Sequence, residues 1–172
     1  MKTKFQNFIA LLLILGIVSC SSDDDASPSE TTPAGNWMLT SLSIETAFDF
    51  NNDGTASRNL FEETPCYNGD FVTLNADGTA RVVTSLTYIY ADVVSATDYS
   101  YNYECQDGYD VDTVWDQKND MVIVHYGATN LQGTIPGNTM TVVIPDFFNI
   151  EMYNGTNYYD VQEDVTLIYT KG

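Results

Sequence analysis

Residues 49–63, DFNNDGTASRNLFEE, place oxygen-bearing side chains at alternate positions ahead of a glycine: Asp49, Asn51 and Asp53, then Gly54. That alternation is the first half of an EF-hand-type calcium loop, in which hard oxygens surround the ion and the glycine makes the sharp turn. In this register Thr55 offers its main-chain carbonyl at the seventh position and Ser57 acts through water. Leu60 stands where the bidentate acid belongs, so Glu62 or Glu63 must close the shell by a different loop path. The competing reading is an Asx-rich turn whose side chains cap the local backbone. Of the two common hard cations, calcium suits the set better than magnesium, which demands a tighter octahedron.

The tyrosines are the second set. Tyr88 and Tyr90 share a face of one strand-like run, and Tyr99, Tyr101 and Tyr103 share a face of another, because side chains alternate across a strand. Pointing inward, they line a cavity with apolar bodies and hydroxyl tips suited to a small amphipathic ligand. Pointing outward, they make a stacking platform of the kind sugars use. A third reading is packing alone, since tyrosine is a strong strand former. Catalytic groupings are sparse by comparison. His125 is the only histidine and ends the apolar run MVIV. No serine sits in a nucleophile elbow and no glycine-rich phosphate loop is present. Glu62, Glu63 and Glu104 fall among 24 acidic residues, where chance pairs are common. The chain reads as a non-enzyme.

The three cysteines divide by position. Lys2 and Lys4 precede an apolar run, Phe8 to Val18, too short to stay in a bilayer as a spanning helix, which takes about 20 residues. Residues 1–19 therefore read as a secretory signal peptide. Ile17-Val18-Ser19-Cys20 resembles the bacterial lipobox, in which the cysteine thiol receives a diacylglyceryl group and becomes the mature N-terminus. The plainer alternative is an ordinary secretory cut beside a stray cysteine. The SSDDD that follows resembles the acidic signal by which certain Gram-negative bacteria send lipoproteins to the outer face of the outer membrane; otherwise it is a solvated tether. Residues 20–35, rich in Ser, Thr, Asp and Pro, form that flexible tether. The resemblance thus implies an outer-membrane, lipid-anchored protein facing the cell exterior. Cys66 and Cys105 remain as an even pair in an oxidising compartment and read as a disulfide, the alternative being two buried free thiols. Two cysteines with a single histidine argue against a zinc site.

Composition narrows the partners. The leader holds two of the six basic residues and no acid, so residues 20–172 carry 4 basic against 24 acidic side chains, a net charge of −20. Such a surface repels nucleic acid and anionic headgroups. It leaves a small amphipathic ligand, a glycan or a partner protein, and says nothing of oligomeric state.

Residues 36–172 read as one all-β domain, because Tyr, Thr and Val abound and no long stretch keeps helical spacing without a break. Strands are expected at 36–46, in two runs over 71–90 joined by Asn75-Ala76-Asp77-Gly78, at 98–105, 112–118, 120–126, 138–145, 147–153 and 164–172. Regular short strands point to an antiparallel barrel, with a β-sandwich as the alternative. Trp37 in GNWMLTSL, the FVTLNADGTA hairpin, the cysteine pair and the closing VTLIYTKG together resemble the lipocalin-like domains of bacterial surface lipoproteins. The resemblance implies an up-and-down barrel of about eight strands with Trp37 plugging the closed end. Segment 46–70 exceeds an ordinary barrel loop. The expected function is a lipid-anchored surface module holding a small apolar or amphipathic molecule in its lumen. The alternative is an interaction lipoprotein with a filled core that contacts a partner protein or glycan.

Overall fold

The computed structural model describes residues 32–95, 98–127 and 129–172. The chain forms β1 (Gly35–Phe48), β2 (Ser57–Asn59), a single helical turn α1 (Leu60–Glu63), β3 (Phe71–Leu74), β4 (Thr79–Ser95), β5 (Asp98–Lys118), β6 (Met121–Tyr126), β7 (Thr129–Thr134), β8 (Thr139–Tyr153) and β9 (Tyr158–Lys171). Successive strands pair antiparallel from β3 to β9, and β1 joins β3 on one side and β9 on the other. The result is a closed eight-stranded up-and-down barrel, with β2 added to the upper end of β1. The lipocalin-like barrel expected from the sequence is the fold observed, and the sandwich alternative is set aside.

Alternation builds the core. In β3, Val72 and Leu74 are buried while their neighbours are not; in β6 the same holds for Val122 and Val124. β1 buries Leu39 and then Leu42, an odd step that a register shift against β9 between Leu39 and Ser41 absorbs. Trp37 is 0% exposed; its Nε1–H donates to the Pro33 carbonyl at 2.8 Å, and the Lys171 ammonium lies 5.4 Å from its ring centroid. This is the end where the described chain enters and leaves, and the Asn75–Gly78 turn, with Gly78 at φ 84°, lies there too.

The strands are unequal. β4–β5 and β8–β9 are long hairpins, whereas β6 and β7 have six residues each. The runs 98–105 and 112–118, expected as separate strands, belong to one strand of 21 residues, β5. Gly108 is needed for a close approach, because a Cβ there would stand 1.9 Å from the Thr84 carbonyl oxygen. The β4–β5 register shifts at that level, between Thr84 and Leu86. Likewise 138–145 and 147–153 belong to one strand, β8, kinked where Asp146 takes φ 52° and the register shifts between Ile144 and Phe148. β7 was not expected at all, its TNLQGT lacking an apolar alternation. Above the short β6–β7 pair the long hairpins meet, where the Tyr153 N–H donates to the Tyr99 hydroxyl at 2.7 Å.

Candidate functional site

The barrel interior is filled. Among Val72, Val82, Val122, Val142 and Tyr169 the internal void measures about 20 Å³, room for a single water. Higher up, aromatic rings occupy the centre: Phe48 stacks on Phe50 with centroids 4.9 Å apart, Tyr101 meets Phe50 edge-on at 5.3 Å, and Phe148 lies 5.6 Å from Phe48. Phe50 is 1% exposed although residues 51–56 around it are exposed.

Phe50 belongs to the long segment that sequence reading singled out. The segment leaves β1, reaches β5, returns to β1 as β2 and α1, and reaches β5 again before β3. Its first contact with β5 is Asn52, at φ 56°, whose side-chain amide donates to the Tyr101 carbonyl at 2.8 Å and accepts from the Tyr101 N–H at 3.3 Å. The second is the Cys66–Cys105 disulfide, with Cα atoms 5.1 Å apart, as the cysteine pairing led one to expect. Glu63, fully buried, accepts the Phe50 N–H at 2.9 Å and so seats the Phe50 backbone from below.

The five proposed metal ligands sit in or beside this segment. Asp49 accepts the N–H groups of Asp53 and Gly54, each at 2.9 Å; Asn51 Oδ1 accepts from Asp53 at 2.8 Å; Asp53 Oδ1 accepts from Thr55 at 2.8 Å. These are Asx turns, with Gly54 at φ 89° completing the bend. Each carboxylate oxygen keeps a second lone pair, so the hydrogen bonds of the turn leave Asp49 and Asp53 with acceptor capacity to spare. Glu62 does not join them: its carboxylate accepts from the Ser57 hydroxyl at 2.5 Å and from Asn59 at 3.4 Å. Glu63 is engaged below Phe50. Among the described residues no group of three or more His, Cys, Asp or Glu gathers to hold a metal ion.

The five tyrosines do not form one site. Direct partners across the β4–β5 pair share a face, and the register sets Ile89 against Tyr103 and Ala91 against Tyr101. Tyr99, Tyr101 and Tyr103 accordingly pack against the core. Burial raises the Tyr101 hydroxyl above its ordinary value, with Tyr99, Tyr159 and Asp49 adding to it. Tyr88 and Tyr90 lie on the other side of the sheet, 57% and 38% exposed, with ring centroids 5.7 Å apart. Opposite them stand Glu104 and Asn102, and the Asn102 amide donates to Asp92 at 3.3 Å.

One buried polar group, Asp70, went unnoticed in the sequence. Asp70 is buried within the barrel, accepting from the Ser85 N–H at 2.9 Å, the Ser85 hydroxyl at 2.8 Å and the Thr84 hydroxyl at 3.2 Å, which pins β4 at its register shift. The only signal for it is a carboxylate directly before an apolar strand. On the outer wall His125 lies between Asp116 on β5, 2.8 Å from Nε2, and Asn130 on β7, 2.9 Å from Nδ1. Asp116 raises the imidazole pKa, and Asn130 adds to the effect. The arrangement ties three strands together; no nucleophile adjoins it in these hydrogen bonds.

Cys20 and the tether up to Thr31 lie outside the described residues. Comparison with protein-family models, with curated proteins and with solved structures returns no match. The fold and this geometry therefore define the class, a filled antiparallel barrel with an aromatic arm.

Proposed function

We propose that this is a lipid-anchored, non-catalytic binding module of the cell surface, related to the lipocalin-like lipoprotein domains, which engages its partner with the outer face of the β4–β5 arm. The observation that carries the reading is the contrast between a void of about 20 Å³ inside the barrel and an exposed, paired tyrosine face outside it. Tyrosines are enriched where surfaces bind, and exposed aromatic patches mark such places. A ligand held in the lumen, the first expectation from sequence, has less support, because valines, phenylalanines and tyrosines already fill that space. Anchorage fits the same picture. The chain enters at the Trp37 end, where the Lys171 ammonium donates to the Thr32 carbonyl at 2.6 Å. A lipid on Cys20 would tether the domain from that end of its chain through residues 20–35.

Hydroxyl-radical footprinting tests the binding face. On intact host cells Tyr88 and Tyr90 should be protected relative to the purified protein, while Tyr109, at 49% exposure, keeps its reactivity. Equal modification of all three in both settings would remove the reading. The anchor is tested separately: Cys20→Ala should abolish fatty-acid labelling, and normal labelling of that variant would exclude a lipoprotein.

A further inference from the structure

We infer that the outer face of the β4–β5 arm binds a neutral, β-linked polysaccharide; the inference rests on the reading of that face as the binding surface and names its ligand class. Tyr88 and Tyr90 occupy same-face positions two residues apart, a separation of about 6.6 Å along a strand. Their rings come to 5.7 Å centroid to centroid with planes inclined by 36°. Two adjacent rings at that spacing match two successive sugar rings of an extended chain, whose axial C–H bonds point into an aromatic face when the sugar stacks on it.

The flanking groups complete the chemistry. Stacking alone does not distinguish a sugar from any flat apolar body; hydroxyl recognition does. Glu104 directly opposes Tyr88, Asn102 directly opposes Tyr90, and Asp92 lies beyond, 3.3 Å from the Asn102 amide. Carboxylates accept two or more hydroxyl protons and an amide both donates and accepts, so the ring edges of a polyhydroxylated chain find partners along the β5 flank of the tyrosine pair and at its Asp92 end. Charge selects among glycans. The face carries carboxylates and the chain from residue 20 a net charge of −20, which disfavours uronic acids, sulfated sugars, nucleic acid and anionic lipid. Neither tyrosine is needed by the core, since Ile89, Ala91, Tyr101 and Tyr103 cover the inner side of the same arm.

The test is native affinity electrophoresis of the full chain carrying Cys20→Ser, which lacks the lipid, in gels cast with mixed-linkage β-glucan, xylan, β-mannan or, as the anionic comparison, alginate. Retardation by at least one neutral glycan is expected. It should weaken at least tenfold in Tyr88→Ala and Tyr90→Ala, persist in Tyr88→Phe, and be unchanged in Tyr109→Ala. Circular dichroism of each variant should match the parent; if an alanine variant misfolds, Tyr90→Ser takes its place. No retardation by any neutral glycan, retardation only by alginate, or retardation indifferent to both tyrosines overturns the inference. Protection of Tyr88 and Tyr90 on intact cells together with a blank gel would reject the glycan alone, whereas loss of that protection rejects the binding face itself.

Discussion

His125 shows how a single side chain on the outer wall can report its surroundings. Both ring nitrogens face oxygens, on Asp116 and Asn130, an arrangement that favours the imidazolium, with two N–H donors. Its folded-state pKa is therefore above the unfolded value of about 6.5. A raised value contributes stability that is fully present below the unfolded pKa and is lost as pH rises through the folded one. The melting temperature of the parent should thus exceed that of Asp116→Asn by most at about pH 5.5 to 6 and converge with it on the alkaline side. A gap that widens with rising pH would contradict the assignment. Phe50 makes the opposite case, a buried ring supplied by an exposed segment. Phe50→Ala removes a ring packed against Phe48 and Tyr101 and should cost about 3–5 kcal/mol in urea unfolding. A loss of less than about 1 kcal/mol would mean that the ring is dispensable to the core. The sequence carried the alternation of Tyr99, Tyr101 and Tyr103, but not the side to which they point. Period two fixes which residues share a face; only the pairing with Ile89 and Ala91 tells which face is inside.

Among the elements, the strap between β1 and β3 is the least ordinary. Its length was evident from the spacing of the flanking strands, yet its course was not, because Asn52 and Glu63 act through a few side-chain hydrogen bonds to backbone far along the chain. The Asp49–Thr55 turn was legible residue by residue, since Asx turns and calcium loops draw on the same alternation. With two carboxylates and no third to close the shell, calcium binding should be weak, in the range of about 10⁻⁴ to 10⁻³ M. Binding that relieves repulsion between Asp49 and Asp53 would stabilise the folded state by mass action. Millimolar calcium should raise the melting temperature, magnesium should do less, and Asp49→Ala should erase the difference. Identical curves with calcium and with chelator at matched ionic strength would leave only the polar turn. The misread strands have physical causes as well. The gap expected between 105 and 112 is strand instead, and Gly108 within it admits the Thr84 carbonyl. The expected runs 138–145 and 147–153 are likewise one strand, which passes Pro145 and kinks at Asp146.

At the scale of the molecule, the barrel class was readable because short alternating runs and tight turns recur along the whole domain, whereas closure depends on β1 meeting β9 more than 120 residues later. The disulfide ties the strap to β5 across 39 residues, and the loop-entropy relation gives about 4 kcal/mol for its removal. Cys66→Ser with Cys105→Ser should lower unfolding stability by roughly that amount. Unchanged stability would mean that the strap is held by Phe50, Glu63 and Asn52 alone. What the sequence could not carry is whether the barrel is hollow, since side-chain volumes close a lumen only once the register is known. The interior is filled, so the proposed recognition face lies on the outside. The most direct test is ¹H–¹⁵N NMR of the isotopically labelled chain during titration with a surface-polysaccharide extract from its own host. The predicted outcome is movement of amides in 86–92 and 100–106, with Val122, Val142 and Tyr169 unchanged. Shifts concentrated on those inner residues, with the outer arm silent, would contradict it.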